Sequence, residues 1–330
     1  MTLIRICTLL LCIAAAPAMA AKHLASFAEN PEVQAFIHEM HEKHGFDSKT
    51  LTRSFARTKP IAAVIKAILP PRDPGIRSWT AYRARYVEAK RIALGGIFWQ
   101  EQLAALTEAR ARFGVPEEII VAVIGVETIY GRNRGRFGTF AALATLAFGY
   151  PPRAALFRQE LEELLLLARE TQRDPLWFKG SYAGALGLPQ FLPSSVRHYA
   201  VDADHDGRID LAESPADAVM SVANFLSAHG WEKDAPVMAT ASVTGEGYAQ
   251  LVEEGITPRR TPSEMAAYGV ATDTPPELPA ALVALETPQQ ASEYRLGYRN
   301  FYVLTRYNRS SFYAMAVHDL AQALRAANAE

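Results

Sequence analysis

The chain has 330 residues, 49% of them hydrophobic, and its 34 Lys and Arg against 35 Asp and Glu leave a formal charge of -1. That length allows one large domain or two to three small ones, and the balance is that of an ordinary soluble globular protein. Nothing in it suits nucleic acid as a partner.

The first residues, MTLIRICTLLLCIAAAPAMA, combine Arg5, an apolar run and Ala18-Met19-Ala20, which predicts a secretory signal (1–20) cleaved after Ala20. The apolar run is short for a bilayer span. Cys7 and Cys12 both fall inside it, and Leu11 before Cys12 is a poor lipoprotein signal, so the mature chain is expected to lack cysteine and to rely on its core.

Asn30-Pro31-Glu32 opens a helix whose Val33, Phe36, Ile37 and Met40 make one apolar face, beginning a helical N-terminal part (21–95). The same helix holds HEMHEKH, with His38, His41 and His44. Glu42 stands where a zinc-protease motif needs its second His, so a solvated polar face is expected. Pro70-Pro71-Arg72-Asp73-Pro74-Gly75 is a turn-rich break, after which Ser78 caps a helix with Trp79, Tyr82 and Tyr86. One longer helical run is expected over 93–113.

GVPEEIIVAVIGVETIYG (114–131) places one carboxylate, Glu127, at the end of a very apolar helix. Pro116 suits the first helical position, Glu117 and Glu118 the positive helix end, and Gly131 the stop. Apolar character on every side belongs in a core. Burial and the negative helix end both disfavour ionisation, so Glu127 is expected to hold a proton near neutrality and to be able to give it to a leaving oxygen. The competing reading is a buried Glu neutralised by Arg132, Arg134 or Arg136.

Helices follow over 141–148 and 154–170. GSYAGALGLPQFLPSS (180–195) then reads as a close-packed turn in which Ser181 and Gln190 serve either a substrate or the bend itself. DADHDGRIDLAE (202–213) fits the EF-hand loop, with Asp202, Asp204 and Asp206 at positions 1, 3 and 5, Gly207 at the turn, the Arg208 carbonyl at 7, Asp210 at 9 and Glu213 at 12. Clustered carboxylates repel one another without a cation, so a structural Ca²⁺ is expected, fixing a helix over 218–229. Asp217 competes with Glu213 as the closing ligand. A Pro- and Gly-broken stretch (235–293) with Val243, Leu282, Val283 and Leu285 reads as a small β-rich insert. The C-terminal segment (294–330) reads as one more strand over 294–307, then an amphipathic helix.

Four segments together carry a resemblance: VETIYG around Glu127, GSYAGALGLPQFLPSS, the EF-hand loop with DAVMSVANFLSAHGW, and TRYNRSSFYAMAV. In this order and spacing they resemble the lytic murein transglycosylase B family (glycoside hydrolase family 103 type). The resemblance implies a mainly α (α+β) fold, with a lysozyme-like core (96–234), a helical N-terminal domain and the small β domain. It implies cleavage of peptidoglycan between MurNAc and GlcNAc; with the signal segment removed, a soluble periplasmic monomer with no organic cofactor is expected, with cell-wall synthesis proteins as candidate partners. Glu127 matches the catalytic acid/base and Ser181 and Gln190 match polar residues beside it. Asn308, Tyr307 and Tyr313 match the sugar groove, as does Tyr82 by its WTAYR context. Phe225 stands where the family suggests Tyr, and Leu188 where it suggests a smaller or more polar residue.

Hydrolases that use water usually need two carboxylates across the glycosidic bond. The strongest acidic cluster outside Glu127 is committed to calcium. The resemblance implies a one-acid route: Glu127 protonates the glycosidic oxygen, the N-acetyl group stabilises the cationic centre, and Glu127 then deprotonates the C6 hydroxyl to give a 1,6-anhydro sugar. The rivals are a water-using muramidase and a non-catalytic, calcium-dependent wall-binding protein.

Overall fold

The computed structural model describes residues 26–69, 78–273 and 275–329. The expected signal segment with both cysteines, and the turn at 70–75, lie outside them.

Three N-terminal helices come first, α1 (Pro31–His44), α2 (Ser48–Ala56) and α3 (Ala62–Ile68). Asn30 caps α1 by accepting from the Glu32 N–H, and Val33, Phe36, Ile37 and Met40 form its buried face as expected. Phe36 and Phe55 pack edge-on with Phe148, which joins these helices to the main core. The histidines hold no metal-like grouping among the described residues: His41 contacts the Phe46 carbonyl and His44 the Glu162 carboxylate.

Ser78 caps α4 (Trp79–Tyr86). The single run expected over 93–113 is two helices, α5 (Ala89–Glu101) and α6 (Leu103–Phe113), broken at Gln102, whose ψ of 17° leaves the helical range. Next come α7 (Glu117–Thr128), β1 (Phe137–Gly138), α8 (Thr139–Gly149), α9 (Ala154–Glu170), β2 (Lys179–Gly180), α10 (Pro193–Tyr199) and α11 (Pro215–Ala228). Residues 119–126 of α7 are all buried, as their composition demands. Pro116 caps this helix from just outside it instead of occupying its first turn.

The β-rich part holds β3 (Met238–Val243), α12 (Tyr248–Glu253), α13 (Pro262–Ala266), β4 (Val270–Ala271), β5 (Ala281–Leu285) and β6 (Glu293–Gly297), in an antiparallel sheet of order β4-β3-β6-β5. Alternation along β5 divides its side chains between two cores: Leu282 joins the small core with Leu251, Met265 and Tyr298, while Val283 and Leu285 join the large helical one. Residues 294–307 are not one strand. β6 stops at Gly297 and α14 (Arg299–Tyr307) follows, then α15 (Ser311–Asn328), which packs along α7. No helix among the described residues is long and apolar enough to cross a membrane.

Candidate active site

Glu127 stands in the last turn of α7, where the chain leaves the helix abruptly. Ile129 and Tyr130 take φ of 52° and 56°, and Gly131 takes 84°, three left-handed residues in a row. For Ile this conformation is costly, so the surroundings must enforce it. Thr128 does part of that: its hydroxyl donates to the Leu188 carbonyl (3.0 Å) and accepts from the Gly131 N–H (3.0 Å), while its carbonyl accepts from the Asn133 N–H (2.8 Å). Tyr130 does the rest. Its ring lies on Phe98 and its hydroxyl fills the space above Gly95 and Gly125, where an added Cβ would come within 2.4 Å and 2.5 Å of that oxygen. The helix therefore stops at Thr128, and Gly131, expected as the stop, closes the turn beyond it.

The Glu127 carboxylate accepts a hydrogen bond from the Tyr313 hydroxyl (2.7 Å). Burial pushes its pKa up to about 7, and Tyr313 alone pulls the other way. Among the described residues no charged side chain forms a hydrogen bond or ion pair with it. The Arg-neutralised reading therefore fails: Arg134 donates to the Ala212 carbonyl and to Glu213, and Arg132 and Arg136 are exposed. Glu127 nonetheless keeps some solvent contact, so its proton can be exchanged.

Tyrosines surround the acid. Tyr313, on α15, lies parallel to Tyr307 at the end of α14, with ring centres 6.2 Å apart, and the Tyr307 hydroxyl donates to the Pro189 carbonyl (2.6 Å). Tyr82, half-buried on α4, packs on Tyr86 and Phe312. Burial, and then the charge of Glu127, raise the pKa of Tyr307 and Tyr313 well above the usual phenol value; in Tyr82 burial and Tyr86 act before Glu127. The structure thus brings Tyr82, Tyr307 and Tyr313 together around Glu127. Asn308, between α14 and α15, is exposed, and its side-chain amide has no protein partner among the described residues.

The other expected contacts are less free. The Ser181 hydroxyl accepts from the N–H groups of Ala183 and Ala185, and the Gln190 amide donates to the carbonyls of Arg134 and Gly187, so both hold the bend. Phe225 stands next to Tyr307, with ring centres 4.9 Å apart. It is 6% exposed and its ring lies on His229. Leu188 is buried beneath Gly131.

The acidic loop departs from the EF-hand expectation at its end. Carboxylate oxygens of Asp202, Asp204 and Asp217 converge within 4.8 Å of one another. Glu213 turns away to Arg134, and Asp210 accepts from the N–H groups of Ala212 and Glu213. Asp206 accepts from the Arg208 N–H. Asp217 is 1% exposed and fixed on both sides, accepting from the Ala203 N–H (2.9 Å) and the Asp210 N–H (2.8 Å). One oxygen of Asp202 is buried with no hydrogen-bond partner, which suits a bound cation.

One residue that sequence reasoning passed over joins two walls of the site. Arg91 on α5 is 6% exposed and donates to the carbonyls of Arg85 (2.7 Å) and Tyr86 (2.9 Å) and to that of Gly125 (3.1 Å). Its cation lies between the negative ends of α4, which bears Tyr82, and α7, which bears Glu127. A lone Arg in a surface-like stretch carries no sequence signal for this; Gly95 and Gly125 do hint at close helix approach.

Residues 28–322 match the transglycosylase SLT domain family. The chain is 41% identical over 315 residues to the membrane-bound lytic murein transglycosylase B of Escherichia coli strain K12, covering 92% of this chain and 85% of that protein. The crystal structure of soluble lytic transglycosylase SltB1 from Pseudomonas aeruginosa is 42% identical and superposes with a TM-score of 0.85, over 91% of this chain and 100% of that one. The structure of Escherichia coli lytic transglycosylase Slt35 in complex with calcium is 39% identical, with a TM-score of 0.82 over 96% of this chain and 100% of that one. With its predominantly helical, lysozyme-like fold, this chain belongs to the SLT-domain lytic transglycosylases, enzymes that act on peptidoglycan.

Proposed function

We propose that Glu127 alone performs the proton chemistry, first as acid and then as base, at the β-1,4 bond between MurNAc and GlcNAc. The observation that carries this is a buried carboxyl whose pKa burial pushes up to about 7, with the Tyr313 hydroxyl as its one side-chain hydrogen-bond donor among the described residues. Near neutral pH such a group is protonated in about half the molecules, which suits both giving and taking a proton. Glu127 gives its proton to the glycosidic oxygen as the bond from C1 breaks, and the N-acetyl oxygen of MurNAc bonds to C1. Glu127, now ionised, takes the proton of the C6 hydroxyl, whose oxygen displaces the acetamido group from C1. The product ends in 1,6-anhydro-MurNAc, water is not consumed, and Glu127 is protonated again. Tyr313 holds the carboxylate during the ionised stage, and Tyr82, Tyr307 and the Asn308 amide line the sugar groove.

Calcium fits the group formed by Asp202, Asp204 and Asp217, with the Arg208 carbonyl a further donor, and Slt35 was solved with calcium. Its role here is structural. The Leu211 carbonyl, at the loop's exit, accepts from the Leu188 N–H (2.8 Å), and the Leu188 carbonyl accepts from Thr128, the residue after Glu127. A cation that orders the loop thereby orders the end of the catalytic helix. Sites of action in the periplasm, and domain boundaries at 95, 234 and 293, belong to the same proposal.

Cleavage in ¹⁸O-labelled water tests the chemistry. New MurNAc ends without label are expected; label at C1 would establish hydrolysis instead.

A further inference from the structure

Arg91 is a buried cation that the proton chemistry does not use. Among the described residues its guanidinium donates to three main-chain carbonyls and to no carboxylate. Glu88, the acid nearest in sequence, is committed to capping α5, accepting from the backbone N–H groups of Lys90 (3.0 Å) and Arg91 (2.9 Å). A charge buried without a counter-charge costs stability, so a stabilising role alone does not account for it.

The three carbonyls explain the placement. Those of Arg85 and Tyr86 belong to the last turn of α4, where carbonyls lack helical partners. That of Gly125 stands two residues before Glu127 and also accepts from the Ile129 N–H (3.1 Å), two residues after it. Arg91 thus grips the carbonyl that closes α7 around the acid. On its other side the guanidinium lies over the Tyr86 ring, 5.3 Å from its centre. Tyr86 packs on Tyr82 (4.9 Å) and Tyr82 on Phe312 (5.6 Å), whose chain neighbour Tyr313 donates to Glu127. The contacts form a closed circuit from Arg91 through Gly125 to the acid, and back through Tyr313, Phe312, Tyr82 and Tyr86.

We propose that Arg91 is a positioning residue for glycan cleavage: by holding the end of α4 against the end of α7, it sets how far the Tyr82 wall, and the sugar resting on it, stands from the Glu127 carboxyl. This rests on the reading of Glu127 as acid/base and of Tyr82 as part of the sugar groove. Proton transfer needs hydrogen-bond reach, so a small displacement of that wall slows the reaction. The planar fork of arginine holds carbonyls of two helices at once. Lysine carries the same charge but no fork, and cannot do so.

The test is a double-mutant cycle between Arg91→Lys and Tyr82→Ala, read as kcat/KM for release of anhydro products well below each melting temperature. Arg91→Lys should lower kcat/KM by ~10- to 100-fold, with the falling limb of the pH profile still near pH 7. Tyr82→Ala removes the wall that Arg91 positions, so adding Arg91→Lys to it should cost ~2-fold or less. A general loosening of the fold would instead make the two effects multiply. Multiplied effects, an Arg91→Lys enzyme with wild-type kcat/KM, or a displaced pH limb would each overturn the positioning role. Arg91→Gln, uncharged and so tolerated where a misplaced buried ammonium would unfold the chain, gives the same cycle and is read in the same way. Wild-type kcat/KM in Tyr82→Ala would overturn the groove assignment and this inference together, whereas multiplied effects beside an impaired Tyr82→Ala would overturn this inference alone.

Discussion

Replacing Glu127 with Gln separates catalysis from stability in a way that depends on pH. The amide keeps the oxygen that accepts from Tyr313 but removes the proton equilibrium. In the unfolded chain the carboxyl loses its proton near its ordinary value of 4.5, and in the folded chain only near about 7. Between those values the unfolded state binds fewer protons, so stability falls as pH rises. Below 4.5 the raised pKa has no effect; above 7 the folded chain carries the full cost of a carboxylate held among apolar groups. At ~1.4 kcal/mol per pH unit the interval from 4.5 to about 7 amounts to roughly 3 kcal/mol, a ceiling because some solvent reaches the group from the groove. Urea unfolding of both proteins across this range measures the difference directly. The Gln variant should match the wild type near pH 4, exceed it by up to roughly 3 kcal/mol near pH 8, and be inactive throughout. Equal stability differences at both ends would refute a raised pKa, and with it the acid role assigned to burial.

Tyr313→Phe removes the one donor that favours the carboxylate, so the falling limb of the kcat/KM profile, set near pH 7 by loss of the Glu127 proton, should move to higher pH as the maximum rate drops. Gly125→Ala forces a methyl group into the Tyr130 hydroxyl and should cost about 1–3 kcal/mol with a loss of kcat, whereas Gly96→Ala, with open space around it in α5, should stabilise by about 0.5–1 kcal/mol; thermal melts and turnover report both. Asp217→Asn should weaken calcium binding measured by titration calorimetry far more than Glu213→Gln, since only Asp217 joins Asp202 and Asp204. Chelation should lower the melting temperature more than it lowers turnover in the cold; identical melts with calcium and chelator would exclude the structural role.

The fold was legible where local chemistry and tertiary context agreed. Asn30 and Ser78 cap as their side chains dictate, 154–170 is helical between the ends expected of it, and the run 119–126 is buried because it has no polar side to expose. Residues 294–307 misled because Tyr302, Val303 and Leu304 favour strand as readily as helix in isolation. What decides is Asn300, fully buried, whose side chain ties the start of α14 to the Glu232 N–H and to the carbonyls of Glu232 and Ala235. No local signal contains that contact across more than sixty residues. That Glu127 is a buried carboxyl with a raised pKa was legible from its position on an apolar helix; that Tyr313 reaches it was not, since the two lie 186 residues apart. Arg91 and Tyr130 act only through packing between α4, α5 and α7, which sequence does not reveal. Glu213 fits position 12 of the motif, yet Arg134 draws it outward while Asp217, held by two backbone N–H groups, closes the group from the next helix.

The most direct test of a single acid/base at Glu127 is mass analysis of the muropeptides released from purified peptidoglycan by the wild type and by Glu127→Gln, with circular dichroism establishing that the variant is folded. The wild type should release products ending in 1,6-anhydro-MurNAc, one water lighter than hydrolysis products, and the folded variant should release none. Substantial anhydro product from the Gln variant, or wild-type products heavier by one water, would contradict the account.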